Sequence, residues 1–408
     1  MTTNSYAADI GSAFTEGTFS GELRSVLYAR SAEGLSGDGV TYLGKANGVA
    51  VGGFFAYETK PVNNISAKLA LYTAQPVTGE GDKLSRTNLV NGEDGYSNLG
   101  QAFLKYDDSV NSLIIGRQEM STPIVNSDDA RVIKDLFSGV SLSTKRVPNH
   151  TFNLFYLKEM SGLDNGNEKK DWVSMSKVLG ASYDKGMFGA GVKHHSLNNV
   201  SAQFWYYQIP ETVSIIYADA KLNQPISSDY SLTYEIHGWK SKSKERYEND
   251  TNSVVDYNFT GARVSSQYKN LTVQLAFDHL RKKAGTKTIH EAHGNFAEYT
   301  YGFLLGSGAY GAALAPVNPN DMTFMTASKV TAQYQLTDDT NLYMGYMMAT
   351  SNDSQYQSDV NILDIAVFMG NIINKNISLA LIYENWDADG NNFFVDNNLV
   401  RATLKYSF

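Results

Sequence analysis

The last ten residues, Leu399-Val-Arg-Ala-Thr-Leu-Lys-Tyr-Ser-Phe408, alternate strictly between apolar and polar, and the same alternation recurs along the whole chain. Successive side chains of a strand face opposite sides. Val400, Ala402, Leu404, Tyr406 and Phe408 would therefore share one face, and Arg401, Thr403, Lys405 and Ser407 the other. In a soluble sheet the apolar face meets a core. In a transmembrane barrel it meets lipid, an aromatic residue sits at the interface, and the charges line a wet interior. One strand does not separate these readings, but the series does.

Residues 17–30 set Phe19, Leu23 and Leu27 against Glu22, Arg24 and Arg30. Val49, Val51, Phe55 and Tyr57 follow, then Ile65, Ala67, Leu69 and Leu71 with Lys68 on the polar face. Further along, Val200/Ala202/Phe204/Tyr206, Leu271/Val273/Leu275/Phe277 and Leu363/Ile365/Val367/Met369 alternate with Gln203, Gln274, Asp278 and Asp364. Turn-like connections near 61–64, 107–111, 147–150, 223–229, 269–270, 337–340 and 373–376 are short. Polar ones near 76–97, 160–175, 241–256, 283–322, 351–358 and 386–397 are long. Short turns on one side and long loops on the other are the asymmetry of an outer-membrane barrel.

The pattern predicts one all-β domain over residues 1–408, a transmembrane antiparallel β-barrel of about eighteen strands preceded by an N-terminal segment, 1–16. Residues 176–197 fix the count least, because Asp184-Lys-Gly186 reads as a turn, a bulge or a loop tip. No helix is expected. A barrel that wide is not filled by its own wall side chains and leaves an aqueous channel.

Composition narrows the function. With 26 Tyr, 19 Phe, no Cys and a net charge of -8, the chain has no disulfide framework and no cysteine-based site. Its acidity gives no footprint for nucleic acid. No stretch approaches the roughly 18 consecutive apolar residues of a membrane helix. The N-terminus shows no charged region followed by an apolar core, so the expectation is a mature exported chain whose signal peptide has been removed.

Residues 116–139 resemble the third-loop segment of the OprD porin family, outer-membrane carboxylate channels of Gram-negative bacteria. Pro123, Val125, Asp129, Arg131, Phe137 and Gly139 occupy the places of that motif. Asn199–Tyr207 is similar to the family's Tyr-rich ninth strand, and the chain ends on Phe. The resemblance implies an eighteen-stranded channel for small polar, mostly carboxylate-bearing solutes. It also implies inward-folded third and seventh loops (120–137 and 284–322) and a row of basic residues along the inner wall. Loop 284–322 has no residue-by-residue counterpart in the family pattern.

Alternation turns Arg24, Arg30, Lys68, Arg263, Lys329, Arg401 and Lys405 inward, a basic ladder that attracts anions. Wet lumen positions that merely tolerate charge are the plainer reading. In the third loop, Asp128, Asp129, Arg131 and Lys134 would stand in the constriction, although Asp129 and Arg131 could instead pair with the wall only to hold the loop folded. In the seventh, Tyr299 and Tyr301 are the constriction candidates, with Glu291, Glu298, Tyr310 and Asp321 beside them.

No catalytic constellation or cofactor is expected. The seven His fall in loops or isolated strand sites without a convincing partner. His290-Glu-Ala-His293 has the wrong spacing for the zinc motif. Asn385 to Asp396 fits the calcium-loop template in part, but lies between strands and starts with Asn. The expected partners are outer-membrane lipid, lipopolysaccharide and small solutes, with the barrel a monomer or a homotrimer. A less selective or cation-preferring porin and a carrier of apolar solutes are the alternatives. An apolar lumen would mark the latter.

Overall fold

The computed structural model describes residues 11–33, 45–85, 87–127, 131–162, 165, 168–197, 199–283, 286, 300, 324–351, 359–389 and 396–408. Its first strands are β1 (Thr18–Glu33), β2 (Ala46–Glu58), β3 (Ile65–Thr78), β4 (Tyr96–Asp107), β5 (Asn111–Gln118), β6 (Leu136–Thr144) and β7 (His150–Ser161). Then come β8 (Val173–Ser174), β9 (Met187–Leu197), β10 (Val200–Ile209), β11 (Val213–Pro225), β12 (Tyr230–Ser243) and β13 (Asp256–Tyr268). The chain closes with β14 (Leu271–Lys282), β15 (Phe324–Thr337), β16 (Thr340–Ser351), β17 (Asp359–Met369), β18 (Ile377–Asp389) and β19 (Asp396–Ser407).

The strands form a closed antiparallel barrel of 18 with one extra strand. The extra one is β8, two residues that extend β7 through Glu159↔Ser174 and Met160↔Val173. Asp184–Gly186 is the approach to β9, so the expected count of about eighteen holds. Closure runs through β1 and β19, with Arg24 opposite Lys405 and Tyr28 opposite Arg401. Two backbone hydrogen bonds finish the seam, Gly21 N to Phe408 O at 3.0 Å and Phe408 N to Gly21 O at 3.1 Å.

Alternation sorts the side chains as expected. Phe19 (77% exposed), Leu69 (57%), Ile236 (61%) and Leu275 (62%) point outward, a distribution that makes sense only against lipid. Their alternates Arg24, His237, Asp278, Lys329 and Asp364 are buried inside. Connections sort by side only in part: 370–376 on the short-turn side is as long as 352–358 and longer than 390–395 on the other. The link between β10 and β11 is only Pro210-Glu-Thr212, although it lies on the long-loop side.

Short helices do occur, against expectation: residues 11–15, Gly81–Ser85, Met175–Val178 and Glu245–Thr251. They lie in the N-terminal segment and the long connections, where one or two turns leave too little periodicity to read. Three of the long-side connections lock together. Ser182 N donates to Asp250 Oδ2 at 2.6 Å, Tyr247 OH to Leu179 O at 2.9 Å, and Lys185 Nζ to Glu211 Oε1 at 2.8 Å. Arg246 also reaches Glu211 and lies over the Tyr183 ring at 4.1 Å.

A barrel this wide needs filling. One buried cluster joins Met120, Ile124 and Val125 to Val173, Met175 and Val178 and to the wall aromatics Trp205, Tyr207, Trp239 and Phe259. The other joins Val132, Ile133 and Leu136 to Tyr28, Tyr72 and the alanines of β2 and β3. Residues 120–125 thus belong to one core and residues 132–136 to the other.

Two outcomes follow from this arrangement. Leu275→Arg, near the middle of β14 on the lipid face, should cost about 2–4 kcal/mol of folding free energy. Thr233→Arg, at matching depth on the lumen face of β12, should cost under about 1 kcal/mol; denaturant titration in vesicles compares them. The second outcome concerns the long-side lock. Hydrogen bonds from Lys185 and Arg246 hold the Glu211 carboxyl below its usual range, and those from Ser182 do the same for Asp250. A depressed carboxylate contributes stability above its unfolded pKa and loses it as pH falls through the folded one. Hydrogen-exchange protection at residues 175–186 and 245–251, taken relative to the intrinsic rate at each pH, should therefore fall below about pH 4 and hold steady between pH 6 and 8.

Candidate functional site

The third long connection is built into the lumen from both ends. Residues Met120–Ser127 form a small hairpin, with Ser127 N donating to Met120 O at 2.8 Å and Thr122 N to Val125 O at 2.9 Å. At its base Glu119 accepts from Tyr72 OH at 2.8 Å and Gln101 Nε2 at 2.8 Å, and pairs with Lys134 at 2.9 Å. The returning limb seats Val132 against the inner face of β2 at Gly52. A Cβ on Gly52 would lie 2.7 Å from Val132 Cγ1 and 2.0 Å from Thr73 O, so the limb approaches only because glycine is there.

Arg131 carries this limb to the wall. Its guanidinium lies over the Tyr28 ring at 5.5 Å, and its carbonyl accepts from Arg24 at 2.5 Å. Arg24 also donates twice to Glu22 Oε1, at 2.8 and 2.6 Å, while Lys405 Nζ lies 3.7 Å from Glu22 Oε2. Arg24, Arg131, Arg401 and Lys405 then line one cavity of ≈ 410 Å³, together with Asp338, Asp339, Asn341, Phe368 and Ile382. The cavity opens toward the short-turn end. Arg30 is buried six residues above Arg24 on the same face of β1, about 20 Å at strand rise.

The remaining rungs differ. Lys68 faces inward on β3, half-buried. Arg263 is paired with Glu235 at 2.7 Å, and Lys329 with Asp364 at 2.5 Å, so both point inward already neutralised by a carboxylate. Lys329 crosses β16 at Gly345, where a Cβ would lie 2.9 Å from its Cε. Glu384, opposite Asp364 in register, accepts from Trp386 Nε1 at 2.5 Å.

Asp278 shows what alternation alone missed. Its Oδ1 meets His237 Nε2 at 2.9 Å, so this histidine does have a partner. Its Oδ2 accepts from Thr300 N at 2.7 Å and Thr300 Oγ1 at 2.8 Å, which ties one point of the seventh long loop to the wall. Asp128, Asp129, Tyr299, Tyr301, Glu291, Glu298, Tyr310, Asp321, His290 and His293 lie outside the described residues. Asn385 and Asp387 belong to β18, and the calcium-like stretch then leaves the described residues at 390.

A sequence signal for the seat of the third loop was present. Ala46, Gly48, Ala50, Gly52 and Ala56 occupy inner positions of β2, and Ala70 and Ala74 those of β3. A wall facing only water has no reason to be small and apolar. Such a wall facing a packed segment does.

Comparison with known proteins agrees with this geometry. A family model for outer membrane porins of the OprD family matches residues 67–303. The solved structure of Pseudomonas aeruginosa OpdK with vanillate superposes with a TM-score of 0.74 at 13% identity, over 97% of this chain and 99% of that one. Pseudomonas aeruginosa OccK9 (OpdG) gives 0.77 at 11%, over 97% and 100%. Acinetobacter baumannii OccAB2 gives 0.76 at 13%, over 98% and 99%. At these identities the structures establish a shared fold. A search of curated proteins found no match.

Glu119 concentrates three contacts at the base of the loop. Glu119→Ala should lower stability by about 1–2 kcal/mol, the lower part of the range for hydrogen bonds to a charged group because the carboxylate is part-exposed. Single-channel recording should show larger open-channel current noise than wild type, while Lys134→Met should show a smaller increase.

Proposed function

This chain belongs to the OprD family of outer-membrane porins, and from that premise we propose that it passes small anionic, carboxylate-bearing solutes by diffusion past a basic constriction. It is a channel of the bacterial outer membrane and not an enzyme. The observation that carries the substrate reading is the convergence of Arg24, Arg131, Arg401 and Lys405 on one cavity. Three of these cations come from the closure strands and one from the third loop, so wall and loop act on a solute together. In a narrow, low-dielectric passage their attraction for an anion exceeds that at an open surface. Asp338 and Asp339 at the cavity's edge would orient a dipolar solute with its carboxylate toward the cations. The similar OpdK structure holds vanillate, a carboxylate.

An apolar-solute carrier has one observation in its favour, the inward-facing Trp205, Tyr207, Trp239 and Phe259. These rings are 0–5% exposed, packed against the third loop and residues 173–178. They fill the barrel and do not line a path, which favours the polar reading.

Reversal potentials in a planar bilayer under a salt gradient test the selectivity. Wild type should prefer anions. Arg401→Ala and Arg131→Ala should each lower the anion-to-cation permeability ratio roughly two- to fivefold, equivalent to about 0.5–1 kcal/mol of lost attraction in a wet lumen. Lys329→Met, which removes an already neutralised charge, should change it less. A cation preference in wild type would overturn the carboxylate reading and keep the porin.

A further inference from the structure

We propose that His150 and His194, on the outer surface of the barrel at its short-turn rim, chelate a late first-row divalent cation of the zinc type. The two residues are directly opposite each other on β7 and β9. His195 N donates to Asn149 O at 2.7 Å beside them. That bond flanks the pair without joining it, so this is a non-hydrogen-bonded antiparallel position, where side chains come closest. Both histidines have the outward parity of the exposed Phe152, Leu154 and Phe188, and both are half-buried.

Their ring nitrogens are already at the spacing of a chelate. His150 Nε2 and His194 Nδ1 lie 3.2 Å apart, with ring centroids at 4.8 Å. Two nitrogens bound to one zinc at about 2.0–2.1 Å lie about 2.9–3.4 Å from each other, for octahedral to tetrahedral angles. Closing the site needs only a rotation that turns both lone pairs toward a common point.

The proton arrangement also suits a ligand. His150 Nδ1 lies 2.9 Å from the Pro148 carbonyl, which accepts only, so the proton is on Nδ1 and Nε2 is left bare. A backbone carbonyl on the far nitrogen is the orienting contact that metal-bound histidines use. Stacking on Phe152 at 6.3 Å further limits the His150 ring. Without metal, His194 donates its Nδ1 proton to His150. On binding, that proton moves to His194 Nε2 by tautomerisation, and the imidazole stays neutral. Among the described residues no group of three His, Cys, Asp or Glu converges on a common point, so water completes the coordination. Imidazole selects zinc, copper and nickel over magnesium and calcium.

The test uses the full chain, refolded in detergent, and Zn²⁺ alone in isothermal titration calorimetry. Wild type should bind one ion that His150→Ala and His194→Ala each lose, or weaken ~tenfold or more, while His195→Ala keeps it. Cu²⁺ paramagnetic resonance gives a readout that a merely structural role would not move. Wild type should show coupling to two equivalent-strength nitrogens at this site, and His194→Gln should show one. Far-UV circular dichroism confirms that each variant is folded. Zinc binding with unchanged affinity and stoichiometry in the His150→Ala/His194→Ala double variant would overturn the assignment, as would no saturable binding by wild type.

Discussion

Inside a bilayer no water is available to satisfy a backbone N–H or C=O, so a chain that crosses as strands must pair its first strand with its last. The twelve-residue register between β1 and β19, finished by the mutual bonds of Gly21 and Phe408, meets that demand here. Everything else is arranged around it. Closure fixes which face each residue takes, and it sets Arg24, Tyr28, Arg401 and Lys405 side by side on the inner wall. The same seam that keeps lipid out therefore concentrates positive charge within.

Width is the second constraint. Eighteen strands enclose more space than wall side chains fill, and the chain supplies the filling from its long connections. The third loop's hairpin packs with the wall aromatics, and its returning limb settles onto glycine and alanine of β2 and β3. The aromatic side is the filled one, since β10–β13 bury their rings against loop residues. The charged side of β1 and β19 borders the cavity. The third loop delivers Arg131 to that cavity.

Charge on the inner wall is not one population. Arg263 meets a carboxylate on the neighbouring β12 and Lys329 one on β17, across β16; the buried Lys329–Asp364 pair costs desolvation that its attraction roughly offsets. Its effect is to fix strand neighbours and side-chain positions while cancelling the long-range field. Arg24, paired with Glu22, instead lines one cavity together with Lys405, Arg401 and Arg131. Inward charges thus divide into those that tie strands of the wall together and those that line the cavity.

How much was legible depended on range. Period-two alternation is local and repeats in every strand, so residues such as Leu275 and Asp278 declared their faces at once. Single-turn helices such as Met175–Val178 leave no period and stayed invisible. The partners of Lys329, Arg263 and His237 were hidden for a different reason: each lies on another strand, at a register that alternation does not specify. By itself the sequence determined the barrel, its approximate strand count, the lipid face and the inward set of basic residues, because each depends on side-chain parity. Only the tertiary structure decided which basic residues converge and which are neutralised. Those outcomes are set by the register between strands and by where the third loop finds room to pack.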